Sequence, residues 1–367
     1  MGSNDRTMTL RPRKSPCQPH LWMLLASVVL VAVSLSQMRC SAGDIFDNRL
    51  YPIFDTLGGQ QQKISPFDGP DTLSCRVIEQ RQANGTWHDP NKGEIYARRL
   101  VTDPAYTVSL HREDYDRLRW RTVFQYGKYY EHQVRMRFNT ILKETPKDAV
   151  VLDVGTNIGI YTLQSATLGR HVLSFEINPA NLMRLCESLA FNRLEDRVTI
   201  LQRGVSNVDD QVLEVVVPFN PGQAKMQAVS NPSDGASQSS DSILTTTVTL
   251  DTLAKQQGWL EDEDFQIALL KVDVEGHEPQ IVQGSPKLLS SGKVLNILTE
   301  FRRLGRPAAQ QALKVILDSG FTLVDDKRGK MTIKETIEKL QTIRERLKDT
   351  EKTIDLWFQW TNTSDPV

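Results

Sequence analysis

An acidic residue and a glycine-lined turn lie where a small ligand could approach the backbone. The stretch Val150–Tyr161 reads VVLDVGTNIGIY, so an apolar run ends in Asp153 and is followed by Gly155 and Gly159. Glycine is needed where a ligand comes so close that a Cβ would block it. A dinucleotide-binding turn would read GxGxxG, whereas the acid that precedes the first glycine here would repel a pyrophosphate. The turn therefore suits a positively charged group.

A second acid extends the pattern. Glu176 ends the next predicted strand, VLSFE, and follows Asp153 by roughly 20 residues, the place where a carboxylate binds a ribose diol through two hydrogen bonds. A nucleoside with a cationic amino-acid tail and no phosphate is S-adenosylmethionine. The two acids and the turn between them therefore predict S-adenosylmethionine as the cofactor.

Four titratable residues follow another apolar strand, predicted over Gln266–Val272. They are Asp273, Glu275, His277 and Glu278. The carboxyl ends of strands bind ligands in α/β sheets, and a general base at this place would deprotonate an acceptor hydroxyl. His277 is the natural base because it can be neutral near pH 7. The alternative is structural: the acids cap the following helix or hold the turn through backbone hydrogen bonds.

The elements that position these residues alternate between strand and helix. Strands are predicted at Val150–Asp153, His171–Glu176, Val198–Leu201, Gln266–Val272 and Leu295–Phe301. Three helices are predicted: one at 157–168, one that begins at the Asn178-Pro179 cap, and one at Ala308–Leu317. This alternation with short links predicts an α/β fold with a doubly wound, mainly parallel sheet and helices on both faces. Phe321–Val324 and Ile354–Trp360 are expected to form a C-terminal antiparallel strand pair.

The α/β domain is predicted over residues 115–360. The segments before it and the inserts within it differ from the rest of the domain in amino-acid composition. Residues 39–114 contain many breakers and are expected to be a stem and loosely ordered lead-in. The Ser/Gly/Asn-rich insert 220–242 is expected to be a mobile loop. The charged segment 330–352 has apolar residues on one face and predicts an amphipathic helix, which either docks on the domain or binds a partner.

An uncharged apolar segment, Leu21–Met38, lies near the chain start. As a helix it would reach about 27 Å, close to the thickness of a bilayer core. Basic residues are concentrated before it, which places residues 1–20 in the cytosol as a tail and the body in the ER or Golgi lumen. The segment is thus a signal-anchor of a single-pass type II membrane protein or, alternatively, a cleaved signal peptide of a secreted one.

Cysteines and sequons agree with that address. Asn84 and Asn362 each begin a glycosylation sequon. Cys40, Cys75 and Cys186 would all be luminal, so at least one stays free or pairs between chains, and Cys40 is the best interchain candidate. Cys186 lies among leucines on a predicted helix and is expected to be a small core residue.

Charge and composition exclude several classes of protein. The chain has 367 residues, with 44 Lys plus Arg against 45 Asp plus Glu, which leaves no excess of positive charge to neutralise nucleic-acid phosphates. With 39% hydrophobic and 24% charged residues it is a globular chain, and the absence of a CxxC pair excludes a zinc ribbon.

Four motifs in this order resemble the FkbM family of S-adenosylmethionine-dependent methyltransferases. They are DVGTNIG, FEINP, TVTLDTL (Thr247–Leu253) and LLKVDVEGHE (Leu269–Glu278). Upstream, YGKYYE and RFNTIL resemble animal methyltransferase-like proteins of that family. The similarity covers about residues 115–325. It implies a class I (Rossmann-like) methyltransferase fold and, in most cases, methylation of an oxygen atom.

The resemblance also assigns cofactor roles, and it leaves the acceptor open. It places Asp153, Gly155, Asn157 and Gly159, with Thr156 in the same turn, on the methionine and sugar side of the cofactor; Glu176 binds the ribose, and Ile177 and Asn178 lie by the adenine edge. The luminal address and the family analogy together predict a glycan or small-molecule hydroxyl as the acceptor.

Two other functions fit parts of the sequence. In a type II membrane glycosyltransferase, Asp273 and Glu275 would hold Mn²⁺ on a nucleotide diphosphate, but Asp153 and Glu176 would then be unexplained. A non-catalytic secreted binding protein would retain the same cofactor positions. The intact glycine turn and ribose-position acid favour an active methyltransferase over this alternative.

Overall fold

The computed structural model describes residues 9–10, 72–83, 89–127, 131–216, 225–228, 242–325, 329–347 and 352–361. The apolar segment 21–38, Cys40 and both sequons lie outside these ranges. Within them, no helix combines the length and the apolar character needed to cross a bilayer.

The described residues form strands of two to eight residues. In chain order they are β1 (Thr9–Leu10), β2 (Thr72–Leu73), β3 (Ile95–Arg99), β4 (Thr107–Leu110), β5 (Val150–Val154), β6 (Val172–Phe175), β7 (Val198–Leu201), β8 (Gly204–Val205), β9 (Val212–Val216), β10 (Lys225–Ala228), β11 (Ser242–Val248), β12 (Ile267–Val272), β13 (Asn296–Arg302), β14 (Phe321–Asp325), β15 (Gly329–Lys330) and β16 (Thr353–Trp360).

The α-helices follow the same order. They are α1 (Cys75–Ala83), α2 (Arg117–Arg119), α3 (His132–Glu144), α4 (Ile160–Thr167), α5 (Pro179–Asn192), α6 (Leu250–Gln256), α7 (Glu278–Gln283), α8 (Pro286–Ser290), α9 (Pro307–Asp318) and α10 (Ile333–Leu347). A π-helical turn at Trp120–Gln125 continues α2, and a 3₁₀ turn at Glu195–Arg197 precedes β7.

The central sheet of the described residues has the order β15-β14-β16-β13-β12-β5-β6-β7-β2. The five strands from β13 to β7 are parallel to one another, whereas β16 is antiparallel to both β13 and β14 and β2 is antiparallel to β7. The last strand of the chain is thus inserted between two strands that precede it. This order is that of a class I methyltransferase, and it confirms the predicted fold and the C-terminal antiparallel pair.

Strand composition explains why this sheet is covered on both faces. Every residue of β5 and of β12 is buried, as expected for parallel strands between two layers of helices. One face packs against α6 to α9, with Leu152 and Leu270 in its core. On the opposite face, Val151 and Leu269 pack against Phe138 of α3. The carboxyl ends of the central strands are therefore left as the open edge of the sheet.

The expectation of a loosely ordered lead-in is wrong for the described residues between 72 and 110. The strand β2 pairs with β7 at the edge of the sheet, and Ile78 of α1 and Val108 of β4 belong to a core shared with α5. Cys186 is also more than a small core residue, because it forms a disulfide with Cys75. This disulfide joins α1 to α5, a pairing that helix periodicity alone does not indicate.

The two inserts behave differently. Within the expected mobile loop, β10 pairs with β9 as part of a small sheet, and the other residues of 220–241 lie outside the described ranges. The expected charged helix is α10, and Leu340 and Ile343 bury its apolar face in the core of the domain, so it docks on its own chain.

Near the start of the chain, β1 pairs with β3, which places two residues of the expected cytosolic tail beside the body.

Candidate cofactor and acceptor site

The turn between β5 and α4 requires both of its glycines, for packing against protein rather than against a ligand. Gly155 has φ +84°, and a Cβ there would lie 1.9 Å from the backbone oxygen of Asp273. Gly159 has φ +91°, and its Cβ would lie 2.4 Å from Leu185 Cδ1 of α5. Glycine at these positions lets the turn approach the end of β12 and the side of α5, which brings the ends of β5 and β12 together.

Glu176 connects two loops at the end of β6. Its Oε2 accepts a hydrogen bond of 2.7 Å from the backbone N–H of Asn157, and its Oε1 accepts one of 2.7 Å from that of Asn178. Burial raises the pKa of Glu176, and these backbone bonds oppose that shift. Each carboxylate oxygen has a second lone pair, so the side chain is oriented and can still accept hydrogen bonds from a diol.

Glu176 lines a cleft of about 560 Å³, part of it open to solvent, which we call the Glu176 cleft. Phe175, Ile177 and Val205 supply apolar walls on which a base can pack. The charged residues of its lining are Glu176, Asp273, Glu275 and Arg203, so acids outnumber bases. Such a lining disfavours a pyrophosphate and fits a nucleoside that carries a sulfonium cation.

Asp153 lies beneath the cleft rather than at its surface. Its side chain is 1% exposed, and Oδ2 accepts a hydrogen bond of 2.6 Å from the Thr162 hydroxyl. Oδ1 has no hydrogen-bond partner among the described residues and lies 3.9 Å from Lys271 Nζ. The reason is register: Asp153 pairs with Lys271 inside the sheet, one residue before β5 ends. The predicted contact of Asp153 with the cofactor amino group thus stays a prediction.

Lys271 is a buried ammonium group, which is unusual in the interior of a parallel strand. Its Nζ lies 3.1 Å from Asp273 Oδ2 and 4.8 Å from the centre of the Tyr161 ring. Burial disfavours the charged form, but the carboxylates of Asp273, Asp153 and Glu131 outweigh it and raise the pKa of Lys271. The side chain therefore stays charged and orients Asp273.

A second cavity adjoins the Glu176 cleft, and we call it the carboxylate cavity. It has about 970 Å³ of open space and shares Gly155, Asn157, Asp273 and Glu275 with the cleft. Its charged lining residues are Glu131, Asp273, Glu275, Glu300, Asp355, Arg119 and Lys271. A molecule in this cavity would therefore meet the ligand of the cleft at the shared residues.

Three of these carboxylates form a row across adjacent strands. Glu300 of β13 pairs with Asp355 of β16, and Asp273 follows the pair Val272–Thr299 by one residue. Neighbouring strands lie about 4.8 Å apart, so the three side chains are close on one face of the sheet. Burial and the Asp273 carboxylate raise the pKa of Glu300 to about 7. Burial, Glu131 and Asp273 raise the pKa of Asp355 to about 6.

The helical layer covers this row from the other side. The Tyr161 hydroxyl at the start of α4 donates a hydrogen bond of 2.7 Å to Glu131 Oε2, just before α3. Both residues line the carboxylate cavity. The cavity is thus enclosed by the sheet edge below and by the N-terminal ends of α3 and α4 above.

The four residues predicted to be catalytic divide into two pairs. Asp273 and Glu275 line both cavities, but each is bonded to a cation, Asp273 to Lys271 and Glu275 to Arg302 at 2.6 Å. Across the part of the chain that the structure describes, no cluster of acids, His or Cys is arranged to hold a metal ion. The arrangement therefore offers no support for Mn²⁺ at Asp273 and Glu275.

The other pair lies outside both cavities. His277 Nε2 is 3.0 Å from Ser206 Oγ, and burial lowers the pKa of His277 to about 4. Glu278 Oε1 accepts hydrogen bonds from the backbone N–H groups of Val274 and Gly276. Glu278 thus holds the turn, as in the structural alternative, and the structure does not bring His277 to the place where an acceptor would bind.

The remaining predicted cofactor residues lie around the cleft. Ile177 lines the cleft, and Thr156 lines the carboxylate cavity while its hydroxyl donates to the backbone oxygen of Asp153. Asn178 caps α5 by accepting from the Ala180 N–H, as predicted. It acts on the cleft through its backbone N–H to Glu176.

Sequence reasoning missed several residues of the two cavities. Lys271 and Glu300 carried a usable signal, because each is a charged residue inside or at the end of a predicted buried strand. Glu131, Tyr161 and Asp355 carried none, since they lie on elements whose position depends on the packing of the whole domain.

Both cavities involve a region that matches a known protein family. Residues 153–327 match the methyltransferase FkbM domain. The matched part of the chain begins at Asp153 and contains both the Glu176 cleft and the strand ends β12 and β13. This part of the chain is thus similar to a methyltransferase domain, and the residues that line the Glu176 cleft fit S-adenosylmethionine.

Two curated methyltransferases are similar to parts of this chain. A ribosomal protein L11 methyltransferase of Carboxydothermus hydrogenoformans is 32% identical over 82 residues, 21% of this chain and 27% of the relative. The hexuronic acid methyltransferase AglP of Haloferax volcanii is 28% identical over 151 residues, 41% of this chain and 56% of the relative. The chain thus spans between about a quarter and just over half of the curated relatives it matches.

Solved structures of methyltransferases also align with this chain. A ribosomal protein L11 methylase from Lactobacillus delbrueckii subsp. bulgaricus has 15% identity and a TM-score of 0.31, and the alignment covers 64% of this chain and 81% of that one. A TehB-like methyltransferase from Corynebacterium glutamicum has 12% identity and a TM-score of 0.32, covering 67% and 96%. The fold assignment stands on the strand order of the sheet.

Proposed function

We propose that the protein transfers the methyl group of S-adenosylmethionine to a neutral hydroxyl of a glycan or small metabolite in the secretory pathway. The observation that carries this proposal is the junction of the two cavities. The Glu176 cleft fits the nucleoside, and the carboxylate cavity meets it at Gly155, Asn157, Asp273 and Glu275. An acceptor in the carboxylate cavity would approach the cofactor's methyl group at this junction.

The residues of the chain would align the acceptor and remove its proton. The bound cofactor supplies an electrophilic methyl group. Alignment of two reactants in a closed site contributes up to about 7–11 kcal/mol to the lowering of the barrier. Glu300 is the side chain best suited to accept the hydroxyl proton, because its pKa of about 7 lets it be ionised and still basic at neutral pH. Asp355 beside it would share the negative charge.

The charge of the carboxylate cavity supports a neutral acceptor. Five carboxylates and two cations line it, so an acceptor that carries its own carboxylate would be repelled. The name of the relative AglP specifies a hexuronic acid, which supports a sugar as the acceptor class. It does not say which atom of the sugar is methylated.

The cellular address rests on the sequence. Leu21–Met38 would anchor the protein in the membrane with its body in the ER or Golgi lumen, or would be cleaved to leave a secreted protein. The Cys75–Cys186 disulfide supports an oxidising compartment.

The test is methyl transfer from tritiated S-adenosylmethionine into extracts fractionated into glycans, small metabolites, proteins and nucleic acids. We expect label in an alkali-stable linkage in the glycan or metabolite fraction, since a methyl ether resists mild base and a methyl ester does not. Calorimetry with S-adenosylhomocysteine should show binding, and UDP with Mn²⁺ should not bind. Binding of UDP with Mn²⁺ alone would favour a glycosyltransferase, and label confined to protein would overturn the proposed acceptor.

A further inference from the structure

A second groove lies beside the carboxylate cavity, and its charge has the opposite sign. We call it the basic groove. It is formed by α3, α4 and residues 101–104, and its charged residues include Arg135, Lys143 and Lys147 against the single acid Asp103. Both lysines are exposed. A fourth cation in its lining, Arg170, is already bonded to backbone carbonyls, among them that of Leu142.

A buried polar atom in this groove has no partner among the described residues. Gln164 is 1% exposed, and its Nε2 donates a hydrogen bond of 2.6 Å to Asn139 Oδ1. Its Oε1 is the atom that no described residue contacts by a hydrogen bond, although Gln164 lines the groove. An unpaired buried carbonyl is costly, so a ligand that donates a hydrogen bond, such as a hydroxyl group, would be favoured there.

The same groove exposes apolar side chains. Val101 is 67% exposed, Met136 is 53% exposed and Leu168 is 41% exposed. Sugar rings combine apolar C–H faces with hydroxyl donors, and acidic sugars add a carboxylate or sulfate for the lysines. A free phosphate has no apolar face and would leave these three residues in water.

The groove and the carboxylate cavity share two helices. Tyr161 of α4 lines the cavity, and Gln164, three residues further on the same helix, lines the groove. On the other side, Glu131 just before α3 lines the cavity, and Arg135 lines the groove. Residues three or four apart lie on one face of a helix and about one turn of 5.4 Å apart, which is the length scale of one sugar unit.

We propose that the basic groove binds an anionic sugar of an oligosaccharide whose neighbouring neutral sugar enters the carboxylate cavity. This inference rests on the proposed function and specifies its acceptor as a chain in which acidic and neutral sugars are adjacent. The opposite charges of the basic groove and the carboxylate cavity would set the register of the bound oligosaccharide. If the oligosaccharide shifted by one sugar unit, an anionic sugar would lie among the five carboxylates of the cavity. The pattern thus selects which sugar is methylated.

Binding of size-matched probes to the whole protein tests this proposal. The probes are a hyaluronan octasaccharide, in which glucuronate and a neutral amino sugar alternate, a neutral chitin-type oligosaccharide, and a single-stranded RNA octamer. We expect hyaluronan to bind more tightly than either of the others at about 0.05 M salt and to weaken at higher salt, because exposed lysines carry the contact.

Two variants and a control distinguish the contribution of the lysine charges to hyaluronan binding from that of the buried Gln164 carbonyl. K143E/K147E should weaken hyaluronan binding about tenfold and reduce its dependence on salt. Gln164→Leu should weaken binding while leaving the salt dependence unchanged. The matched control is K287E/K334E, which makes the same charge change at exposed positions of α8 and α10 and should bind like the wild type.

The outcomes distinguish this inference from the proposed function. Equal hyaluronan affinity in K143E/K147E and in K287E/K334E would overturn the basic groove as a sugar site, and so would tighter binding of RNA. Loss of hyaluronan binding in K143E/K147E without any methylation of hyaluronan would keep the groove and reject the acceptor. Binding of S-adenosylhomocysteine should be the same in all variants, since none of them alters the Glu176 cleft.

Discussion

At the residue scale, Glu176 has two roles that are tied together by its geometry. It accepts backbone N–H bonds from the turn before α4 and from the cap of α5, and it faces the cleft. Because both oxygens are held by backbone donors, the carboxylate is already oriented before a ligand arrives. Because the carboxylate is already ordered, the Glu176 side chain loses little further conformational entropy when it binds a ribose.

Replacing Glu176 by alanine should therefore weaken S-adenosylhomocysteine binding. The loss should be about 1–3 kcal/mol, the range for hydrogen bonds to a charged group. Isothermal calorimetry measures it, with Glu338→Ala on the exposed face of α10 as the control. An unchanged Kd in Glu176→Ala would remove the cleft as the cofactor site.

Glu300 should give the reaction its pH dependence. Its pKa of about 7 is raised by burial and by Asp273, Asp355 and Glu275, with Thr353 as an opposing hydrogen-bond partner. The base must be ionised in the free enzyme, so kcat/KM should rise with pH through about 7 and level off above it. Glu300→Gln should lower kcat by about 10²–10⁴-fold and abolish that rise.

Two further measurements on Glu300→Gln separate catalysis from folding. Cofactor affinity should stay within about twofold of the wild type, because Glu300 does not line the Glu176 cleft. The free energy of unfolding of Glu300→Gln at about pH 8 should not be lower than that of the wild type. A carboxyl group whose pKa is raised in the folded state stabilises the fold below its unfolded pKa, and this contribution is lost as the pH rises through about 7. A wild-type pH profile in the variant would exclude Glu300 as the base.

At the element scale, the site depends on how closely the β5–α4 turn approaches the end of β12. Gly155→Ala should reduce stability and abolish cofactor binding, because its Cβ would lie 1.9 Å from the Asp273 oxygen. Gly169 provides the control: it has φ +86°, and no atom lies within 4 Å of the added Cβ. Gly169→Ala should cost only the about 1–2 kcal/mol of a left-handed residue. Equal losses by denaturant unfolding would contradict the close approach.

The Cys75–Cys186 disulfide also acts at the scale of secondary-structure elements, because it stabilises the packing of α1 on α5. It joins α1 to α5 across 111 residues of sequence, so it restricts the unfolded chain strongly. Cys75→Ser should lower the free energy of unfolding by about 2–5 kcal/mol, measured with guanidinium chloride. Dithiothreitol should destabilise the wild type by a similar amount and leave the variant unchanged. A reducing agent that affects both proteins equally would show that the pair is not formed.

At the scale of the whole molecule, a net charge of −1 conceals a strong separation of charge. The carboxylate cavity is acidic and the basic groove beside it is basic, although the totals nearly cancel. Composition excluded nucleic acid on the basis of the total, whereas recognition depends on the local field. The same molecule can therefore repel an anion at one cavity and attract it at the next.

The predicted address concerns the whole chain as well. Expression in animal cells should yield a protein with an N-glycan at Asn84, since that sequon would be luminal in either topology. Removal by a glycosidase should increase mobility on a gel, and Asn84→Gln should remove the shift. An unmodified protein in the cytosolic fraction would reject the luminal address.

Much of the fold could be predicted from local pattern. Buried parallel strands are continuous apolar runs, and Asn178-Pro179 is a local helix start, so β5, β6, β12 and the first residue of α5 were predicted within a residue or two. The position of Glu176 at the end of β6 also follows from sequence, because parallel strands end at one edge of a sheet. These features depend only on residues that are near one another in the chain.

Only the tertiary structure decided which distant residues meet. The last strand, β16, is inserted between β13 and β14, and this pairing brings Asp355 to Glu300 and completes the carboxylate row. In the same way, the disulfide joins Cys75 to Cys186, and Gly155 packs against Asp273. Periodicity reports which face of an element is buried but not which element covers it. The physical reason is that strand pairing and helix docking are settled by the packing of the complete core.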